Sequence, residues 1–347
     1  MTAVLVTGAQ GFIGRYLVAH CLAAGPRCTV VGIGRSRGQL ESFTHEVGWG
    51  GSRLAAPLPA PLRAALVRPA YRYVALDLLD RRALTELLRA FEPQVVVHLA
   101  GALRDEPTPR LLTTNVLGTE GLLEAIAAAE LQRPPRVILG SSGSVYGAVP
   151  RAALPIDEDT RPQPIDNYAV SKHAAENLAL VIARRHGIGL SIARIFNVVG
   201  PGQDERHLCG WLARQFAEAR AGITNGEVKT GALNTTRDFV DVRDVAAGLH
   251  LIASEPRPLP IYNVGSGIET EVAQVFARLS ILAGRPDTRP PAPTNRRAHD
   301  MPRHVARIER LRRLGYRPAY SITRSLEDLL FYNLTEVAQA TRPKAVA

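Results

Sequence analysis

Residues 7–14 read Thr7-Gly8-Ala9-Gln10-Gly11-Phe12-Ile13-Gly14, between an apolar, strand-like run at 3–6 and a helix-like run at 15–19. The order strand, glycine loop, helix is the setting in which proteins bind dinucleotides. Gly8 permits a tight turn, Gly11 lets the backbone approach a pyrophosphate, and Gly14 allows close packing of the helix on the strand. The helix N-terminus stabilises the negative charge of the pyrophosphate. The stretch therefore predicts a dinucleotide loop, with Gln10, Phe12 and Ile13 among its contacts.

Short apolar runs alternate with helical patterns behind this loop. The strand-like runs lie at 3–7, 28–33, 71–76, 94–99 and 135–141, and the helical patterns begin at 12 and cover 80–91 and 110–131. Such alternation is typical of an α/β fold with a doubly wound parallel sheet, the Rossmann arrangement. Beyond residues 200–202 the pattern loosens and Pro and Gly become frequent, which indicates a smaller mixed α/β substrate lobe.

These patterns predict a division of the chain. Residues 1–196 form the dinucleotide-binding domain, completed by about 237–262. The ranges 197–236 and 263–335 form the substrate lobe. Residues 36–70, rich in Gly, Pro, Ala and Arg, replace a short connection between strands and are interpreted as a surface insertion. Their composition leaves open whether they are partly disordered or cover the cofactor.

Composition excludes several classes of protein. The 347 residues carry a formal net charge of +10, but the basic residues are scattered rather than concentrated with aromatics, so we expect anionic small ligands and no nucleic acid. No apolar run is long enough for a membrane span and no secretion signal precedes the first strand, so we expect a cytoplasmic protein. The three cysteines lack CxxC spacing, so we expect no metal site.

The end of the second predicted strand bears on the choice of cofactor. An acidic residue there favours NAD, because it binds the adenosine ribose. Here the sequence reads Arg35-Ser36-Arg37, with no carboxylate. Two guanidinium groups and a hydroxyl suit a 2′-phosphate, which favours NADP(H). NAD(H) stays open, because the arginines also serve as a solvated start to the insertion.

Three residues in two segments form a candidate catalytic set. Tyr168 and Lys172 are four apart, on one face of a helix that Asp166 or Asn167 can cap. A nearby ammonium lowers the pKa of a tyrosine and makes acid–base work feasible. Ser142 directly follows the strand-like run 135–141, and open α/β sheets bind ligands at the carboxyl ends of their strands. Each part is common by itself, but the ordered combination is specific.

Taken together, these motifs resemble extended short-chain dehydrogenases/reductases of the NAD-dependent epimerase/dehydratase family. The resemblance covers nearly the whole chain. Its motifs are TGAQGFIG at 7–14, Asp77-Leu78, HLAG at 98–101, TNVLGT at 114–119, SSGSVYG at 141–147, YAVSK at 168–172, RIFN at 194–197, RDFVDVRDVA from Arg237 and YNVGSG at 262–267.

The resemblance implies further roles. Cofactor contacts would come from Asp77 and Leu78 beside the adenine, and from Leu99, Ala100, Gly101 and Asn115. Substrate contacts would come from Ser142, Gly143, Ser144 and Asn197, with Arg237 on the diphosphate and Arg296 as a second diphosphate-binding arginine. The segment 101–110, which contacts the sugar in relatives, is shorter here. His98 is interpreted as packing. The helices at 110–131 and from Tyr168 resemble those that form an intersubunit four-helix bundle, so we expect a homodimer.

The resemblance leaves three activities. Dehydratases of the family carry an acid two residues after the active-site hydroxyl, where this chain has Ser144, so 4,6-dehydration ranks last. A 4-epimerase would hold NAD tightly. The arginines at 35 and 37 favour reduction, and SSGSVYG, AALPIDED at 152–159 and TTRDFVDVRDV most resemble the family's GDP-4-keto-6-deoxy-D-mannose reductases. We therefore predict NADP(H)-dependent reduction of the 4-keto group of a nucleotide-linked, GDP-type deoxysugar.

Overall fold

The glycine loop joins strand β1 (Thr2–Thr7) to helix α1 (Phe12–Ala24), as the sequence predicts. The structure is a computed structural model that describes residues 2–25, 28–256, 260–290 and 301–341. Its strands include the glycine-loop strand and twelve more: β2 (Cys28–Gly34), β3 (Ser42–Trp49), β4 (Ser52–Pro57), β5 (Tyr71–Ala75), β6 (Val95–His98), β7 (Arg136–Ser142), β8 (Leu190–Ile195), β9 (Asn197–Val199), β10 (Thr236–Asp241), β11 (Ile261–Val264), β12 (Glu269–Glu271) and β13 (Arg303–His304).

Helices connect most of these strands. Those after α1 are α2 (Ala60–Leu66), α3 (Arg81–Phe91), α4 (Thr108–Leu111), α5 (Gly118–Ala128), α6 (Asn167–His186), α7 (Leu208–Arg220), α8 (Val242–Ser254), α9 (Val272–Leu282), α10 (Glu309–Arg313), α11 (Ile322–Tyr332) and α12 (Ala338–Ala340). Throughout the described ranges, no helix is both long and apolar enough to cross a membrane.

The larger sheet is the doubly wound sheet predicted from the sequence. Its seven strands run in the order β11-β8-β7-β6-β1-β2-β5, and every neighbouring pair is parallel. Parallel strands need crossover connections, and the helices that provide them cover both faces of the sheet with two apolar clusters. The prediction of an α/β Rossmann fold is confirmed, and the carboxyl ends of β1, β6 and β7 lie side by side at one edge.

A smaller sheet forms the second lobe. It has the order β12-β10-β13, with β9 also paired to β10. The range 237–262, expected to complete the dinucleotide-binding domain, divides between the two sheets: β10 lies in the smaller sheet, whereas β11 closes the edge of the larger one. Arg237 and His304 are register partners on β10 and β13.

The insertion at 36–70 is a β-hairpin, β3 and β4, followed by α2. Phe43 is buried against Phe12 of α1, with ring centroids 6.1 Å apart, and a Cβ at Gly202 would lie 2.2 Å from its ring. The backbone amide of Thr44 donates to Gln10 O at 3.2 Å. The insertion therefore packs against the glycine loop and against Gly202 of the substrate lobe.

The predicted helix 110–131 is interrupted. A π-helical turn, Leu112–Leu117, separates α4 from α5 and carries Asn115. Asn115 is 2 % exposed and its amide bonds to two neighbouring segments, so the turn serves to place this side chain inside the molecule. A hydrophobic pattern alone cannot signal such an interruption.

Candidate functional site

The glycine loop leaves room where a pyrophosphate would lie. Gly8 has φ +68°, and a Cβ there would lie 2.7 Å from Ala100 N, so the loop approaches the end of β6 as only glycine allows. A Cβ at Gly11 would meet only Gly8 O, at 3.2 Å, and open space otherwise. The side-chain nitrogen of Gln10 is buried without a hydrogen-bond partner among the described residues. These residues fit a dinucleotide at the N-terminus of α1.

Arg35, Ser36 and Arg37 follow β2 directly at the rim of this loop. Both arginines are exposed, and neither forms an ion pair within the described part of the chain. The Ser36 hydroxyl donates to Gln10 Oε1 at 2.7 Å, and Tyr73 donates to Ser36 O at 2.7 Å. Ser36 therefore anchors the segment, while the two guanidinium groups project into solvent and are accessible to an anion.

The remaining predicted cofactor residues border the same edge. Asp77 is exposed after β5, and Leu78 beside it is buried against α5. Leu99, Ala100 and Gly101 follow β6, and the backbone amides of Leu99 and Ala100 both donate to Thr7 Oγ1, at 3.1 and 3.0 Å. Their contact with a cofactor stays a prediction.

The start of α6 presents Tyr168 and Lys172 on one face. Asp166 is the N-cap, and its carboxylate accepts from Ala169 N at 2.8 Å, which fixes the first turn. Burial raises the pKa of Tyr168 above its ordinary value, while the Ser142 hydroxyl and the charge on Arg104 oppose the rise. Ser142 and Tyr168 thus meet, although they are distant in sequence.

Ser142 ends β7 and begins a short 3-10 turn, Gly143–Tyr146. Its Oγ accepts from the amide of Ser144 at 3.2 Å and lies 2.9 Å from Ser144 Oγ. Gly143 is enclosed, because a Cβ there would lie 3.0 Å from His304 Cε1 and from the ring of Phe196. The hydroxyl groups of Ser142 and Ser144 lie together at the start of this turn, and the turn carries no carboxylate.

Lys172 lies beside a buried network of hydrogen bonds and an ion pair. Its Nζ donates to Gly140 O at 2.6 Å. Burial lowers the pKa of Lys172 to about 8, and the carboxylate of Glu176 limits the fall. Glu176 itself is 1 % exposed and accepts from Arg194 Nη2 at 2.8 Å and from Ser141 Oγ at 2.5 Å. The spacing of four between Lys172 and Glu176 is the sequence signal for this network.

Asn115 joins the loop after β6 to α6. Its Oδ1 accepts from Ala102 N at 2.8 Å, and its Nδ2 donates to Ser171 Oγ at 2.9 Å. His98 lies deeper, between Thr7 and Thr119 at 2.6 and 3.1 Å. Burial lowers the pKa of His98 to about 3, so the ring is neutral near pH 7 and takes the packing role expected of it.

Of the other substrate residues that the resemblance implied, the structure describes Asn197 and Arg237, and their contact with a substrate stays a prediction. Asn197 is exposed and donates to Asp238 O at 3.2 Å. Arg237 is half-buried and donates to Met301 O at 2.7 Å. Arg296 lies outside the described residues.

Two residues near the site were not identified from the sequence. His304 on β13 lies 3.0 Å from Gly143 O and packs on Phe196 with ring centroids 4.7 Å apart. Arg104, in the loop after β6, places its guanidinium carbon 5.6 Å from the centre of the Tyr168 ring. His304 carried no sequence signal. Arg104 follows the HLAG motif closely, and that proximity was the available clue.

Comparisons with known proteins agree with this geometry. A profile of the NAD dependent epimerase/dehydratase family matches residues 4–265. The chain is 34% identical over 284 residues to a GDP-6-deoxy-D-mannose reductase of Pseudomonas aeruginosa, covering 80% of this chain and 79% of the relative. It is 33% identical over 290 residues to a UDP-glucose 4-epimerase of Mycolicibacterium smegmatis, covering 82% and 83%.

A solved structure of RMD from Pseudomonas aeruginosa complexed with NADPH superposes with a TM-score of 0.77 at 31% identity, over 97% of this chain and all of that one. The fold, the order of the motifs and the family profile all point the same way. The chain belongs to the NAD dependent epimerase/dehydratase family and is an enzyme of the extended short-chain dehydrogenase/reductase type.

Proposed function

We propose that this enzyme uses NADPH to reduce the 4-keto group of a nucleotide-linked deoxysugar, with GDP as the preferred nucleotide. One observation carries the proposal: Ser142 at the end of β7 and Tyr168 and Lys172 on α6 lie together at the edge of the sheet that holds the glycine loop. The turn that begins at Ser142 holds hydroxyl groups but no carboxylate. The similarity to a GDP-6-deoxy-D-mannose reductase supports the choice of sugar and base.

The chain's own residues would carry out proton transfer and orientation. The bound reduced nicotinamide would supply the hydride. Tyr168 donates its phenolic proton to the sugar oxygen as that oxygen becomes an alkoxide. Ser142 donates a hydrogen bond to the same oxygen, polarises the carbonyl and fixes the face that is attacked. Lys172 would hold the cofactor ribose one helical turn from Tyr168, and the carboxylate of Glu176 limits the fall in the pKa of Lys172.

Two alternatives have different requirements. A nucleotide-sugar 4-epimerase with tightly bound NAD would use the same three residues, and an epimerase relative at 33% identity supports that reading. It gives no role to the exposed pair Arg35 and Arg37. A 4,6-dehydratase needs an acid near the leaving hydroxyl, and Gly143 and Ser144 provide none.

A test that separates these activities begins with the purified protein. It is denatured, any released nucleotide is identified by mass, and the intact protein is then titrated with NADPH and NADH. We expect an empty site, tighter binding of NADPH, and consumption of NADPH with a GDP-linked 4-keto-6-deoxy sugar. Stoichiometric NAD that does not exchange, together with interconversion of 4-hydroxy sugars, would replace the reductase by the epimerase. Stabilisation by GDP compared with UDP tests the base.

We also propose a homodimer formed by α5 and α6. Large apolar side chains are exposed on the π-helical turn that leads into α5 and on α6, with Leu117, Val170 and Val181 at 47%, 47% and 56% exposure. Helices that pack side by side with such outward faces suit a twofold four-helix bundle. Light scattering on the wild type and on Val181→Asp checks the proposal: we expect a dimer that the aspartate splits, and a wild-type monomer would contradict it.

A further inference from the structure

The position of Arg104 is not explained by the roles assigned so far. Its guanidinium carbon lies 5.6 Å from the centre of the Tyr168 ring, within the distance at which a cation interacts with an aromatic face. Arg104 belongs to the loop between β6 and α4, whereas Tyr168 lies on α6, 64 positions later. The contact therefore exists only because the fold brings this loop over the catalytic helix.

A second contact fixes this arrangement. Arg104 Nη1 forms an ion pair with Asp166 Oδ2, while the other oxygen of the same carboxylate accepts from Ala169 N as the helix cap. One carboxylate thus holds both the start of α6 and the guanidinium above Tyr168. The side chain of Arg104 is 48% exposed, so its charge acts through partly solvated space in the free enzyme.

The other nearby cation points elsewhere. Lys172 Nζ donates to Gly140 O at 2.6 Å, on the side of β7, and burial lowers the pKa of Lys172 to about 8. An arginine keeps its charge over the whole working range of pH, whereas Lys172 loses part of its charge near pH 8. The constant positive charge beside the Tyr168 ring is that of Arg104.

We propose that Arg104 is a positioning residue for the proposed reaction, which holds a permanent positive charge over Tyr168 and thereby stabilises the phenolate that forms when Tyr168 gives up its proton. The inference rests on the acid–base role of Tyr168 in the proposed function. The proposed effect of Arg104 on the phenol belongs to proton transfer, in either direction of the reaction.

Other charged and titratable groups surround the same ring. Asp166 opposes Arg104 in its effect on the pKa of Tyr168, and the Ser142 hydroxyl, at the end of β7, adds to the effect of Arg104. Lys172 lies one turn further along α6. His304, on the smaller sheet, faces Gly143. Burial lowers the pKa of His304 to about 4, and the charges of Arg237 and Arg104 add to this fall. His304 is therefore neutral near pH 7 and does not supply a positive charge in place of Arg104.

The sign of the effect follows from this arrangement. Removing the guanidinium leaves Asp166 unpaired beside the ring, so the phenolate is destabilised and Tyr168 holds its proton to higher pH. In the oxidative direction, where Tyr168 accepts the proton, the acid limb of the kcat profile then moves to higher pH. In the reductive direction, where Tyr168 donates it, the alkaline limb moves the same way.

The first test needs no substrate. A fluorinated tyrosine is placed at position 168 of the full-length protein, and its ionisation is followed by fluorine NMR against pH in wild type, Arg104→Gln and Arg104→Lys. We expect Arg104→Gln to move the midpoint to higher pH and Arg104→Lys to leave it near the wild-type value. Arg110→Gln is the matched control, because Arg110 lies in the same segment, is similarly exposed and pairs with Glu106 instead. It should leave the midpoint unchanged.

Kinetics extend the test. With the sugar alcohol and NADP⁺, Arg104→Gln should lower kcat about threefold on the acid limb, the effect of a unit charge about 6 Å away in a water-like medium, with KM unchanged. Equal midpoints in wild type and Arg104→Gln would overturn the proposal, as would a shift that Arg104→Lys shares in full. Since the midpoint is measured without substrate, absence of turnover would count against the proposed reaction only, and the titration would still decide the role of Arg104.

Discussion

Two regions lie against the glycine loop and are held together in different ways. At the carboxyl edge of the sheet, Ser142, Tyr168 and Lys172 are brought together by topology, and Gln10 keeps a buried nitrogen without a partner among the described residues. On the other side, the hairpin of the insertion pairs backbone amides with carboxylates of the chain itself. The Gly48 amide donates to Glu205, and the Gly50 amide donates to Glu218. The first region is arranged for a ligand, and the second is arranged as support.

The largest expected effect is a loss of activity that leaves nucleotide binding and stability unchanged. Tyr168→Phe removes the proton donor but keeps the ring, so we expect kcat to fall by about a hundredfold to ten-thousandfold. Binding of NADPH and the melting temperature should stay close to wild type. Steady-state kinetics with nucleotide titration measure this. Turnover retained at a tenth of the wild-type rate or more would remove Tyr168 from the mechanism.

In the insertion, we expect a substitution to lower the stability of the fold. Phe43 is 1% exposed, and Phe43→Ala should lower the free energy of unfolding by about 3–5 kcal/mol, because it leaves a cavity between Phe12 and Gly202. Denaturant unfolding measures the loss. Leu40→Ala, at a side chain 50% exposed, is the control and should cost less than about 0.5 kcal/mol. Equal small losses would show that the hairpin is not part of the core.

An intermediate effect is expected where the two regions meet. Arg35→Gln combined with Arg37→Gln removes both exposed guanidinium groups at the start of the insertion. NADPH binding should weaken about tenfold to a hundredfold, the loss expected for charge-assisted hydrogen bonds to a phosphate, while NADH binding stays unchanged. Fluorescence titration with both nucleotides measures the ratio. If binding of NADPH and binding of NADH weaken equally, these arginines do not bind the 2′-phosphate.

The smallest effect tests how the hairpin is fastened. Arg53 pairs with Glu205 at 2.7 Å and with Glu46 at 3.3 Å, but its side chain is 57% exposed. Arg53→Ala should therefore cost less than about 1 kcal/mol of unfolding free energy, and less still in high salt. Urea unfolding at low and high salt checks this. A loss as large as that of Phe43→Ala would mean that ion pairing, and not apolar packing, secures the hairpin.

Sequence reasoning succeeded where position follows from periodicity and order. The glycine loop, the strand that ends at Ser142 and the helix that carries Tyr168 and Lys172 were predicted because each shows a local pattern, and parallel strands bring their carboxyl ends to one edge. The doubly wound sheet follows from the same alternation. The chemistry at that edge stays a prediction.

The remainder depended on contacts that have no local pattern. The hairpin at 42–57 is stabilised by side chains far along the chain, such as Glu205 and Glu218. The stretch 36–70 around it is rich in Gly and Pro and therefore did not indicate strands. The π-helical turn depends on what Asn115 bonds to in other segments. Arg104 lies on a loop and His304 on a two-residue strand. The sequence of neither segment indicates that its side chain lies near Tyr168 or Gly143.

The crowding around Gly143 limits how the enzyme can diverge. Elimination of water needs a carboxyl group on this turn, but any side chain at 143 would meet His304 from one lobe and Phe196 from the other at 3.0 Å. Ser144 next to it is only 7% exposed and already bonded to Ser142. Packing of His304 and Phe196 therefore acts against an acid at position 143. A change of activity at this position would be coupled to the way the substrate lobe packs on the turn.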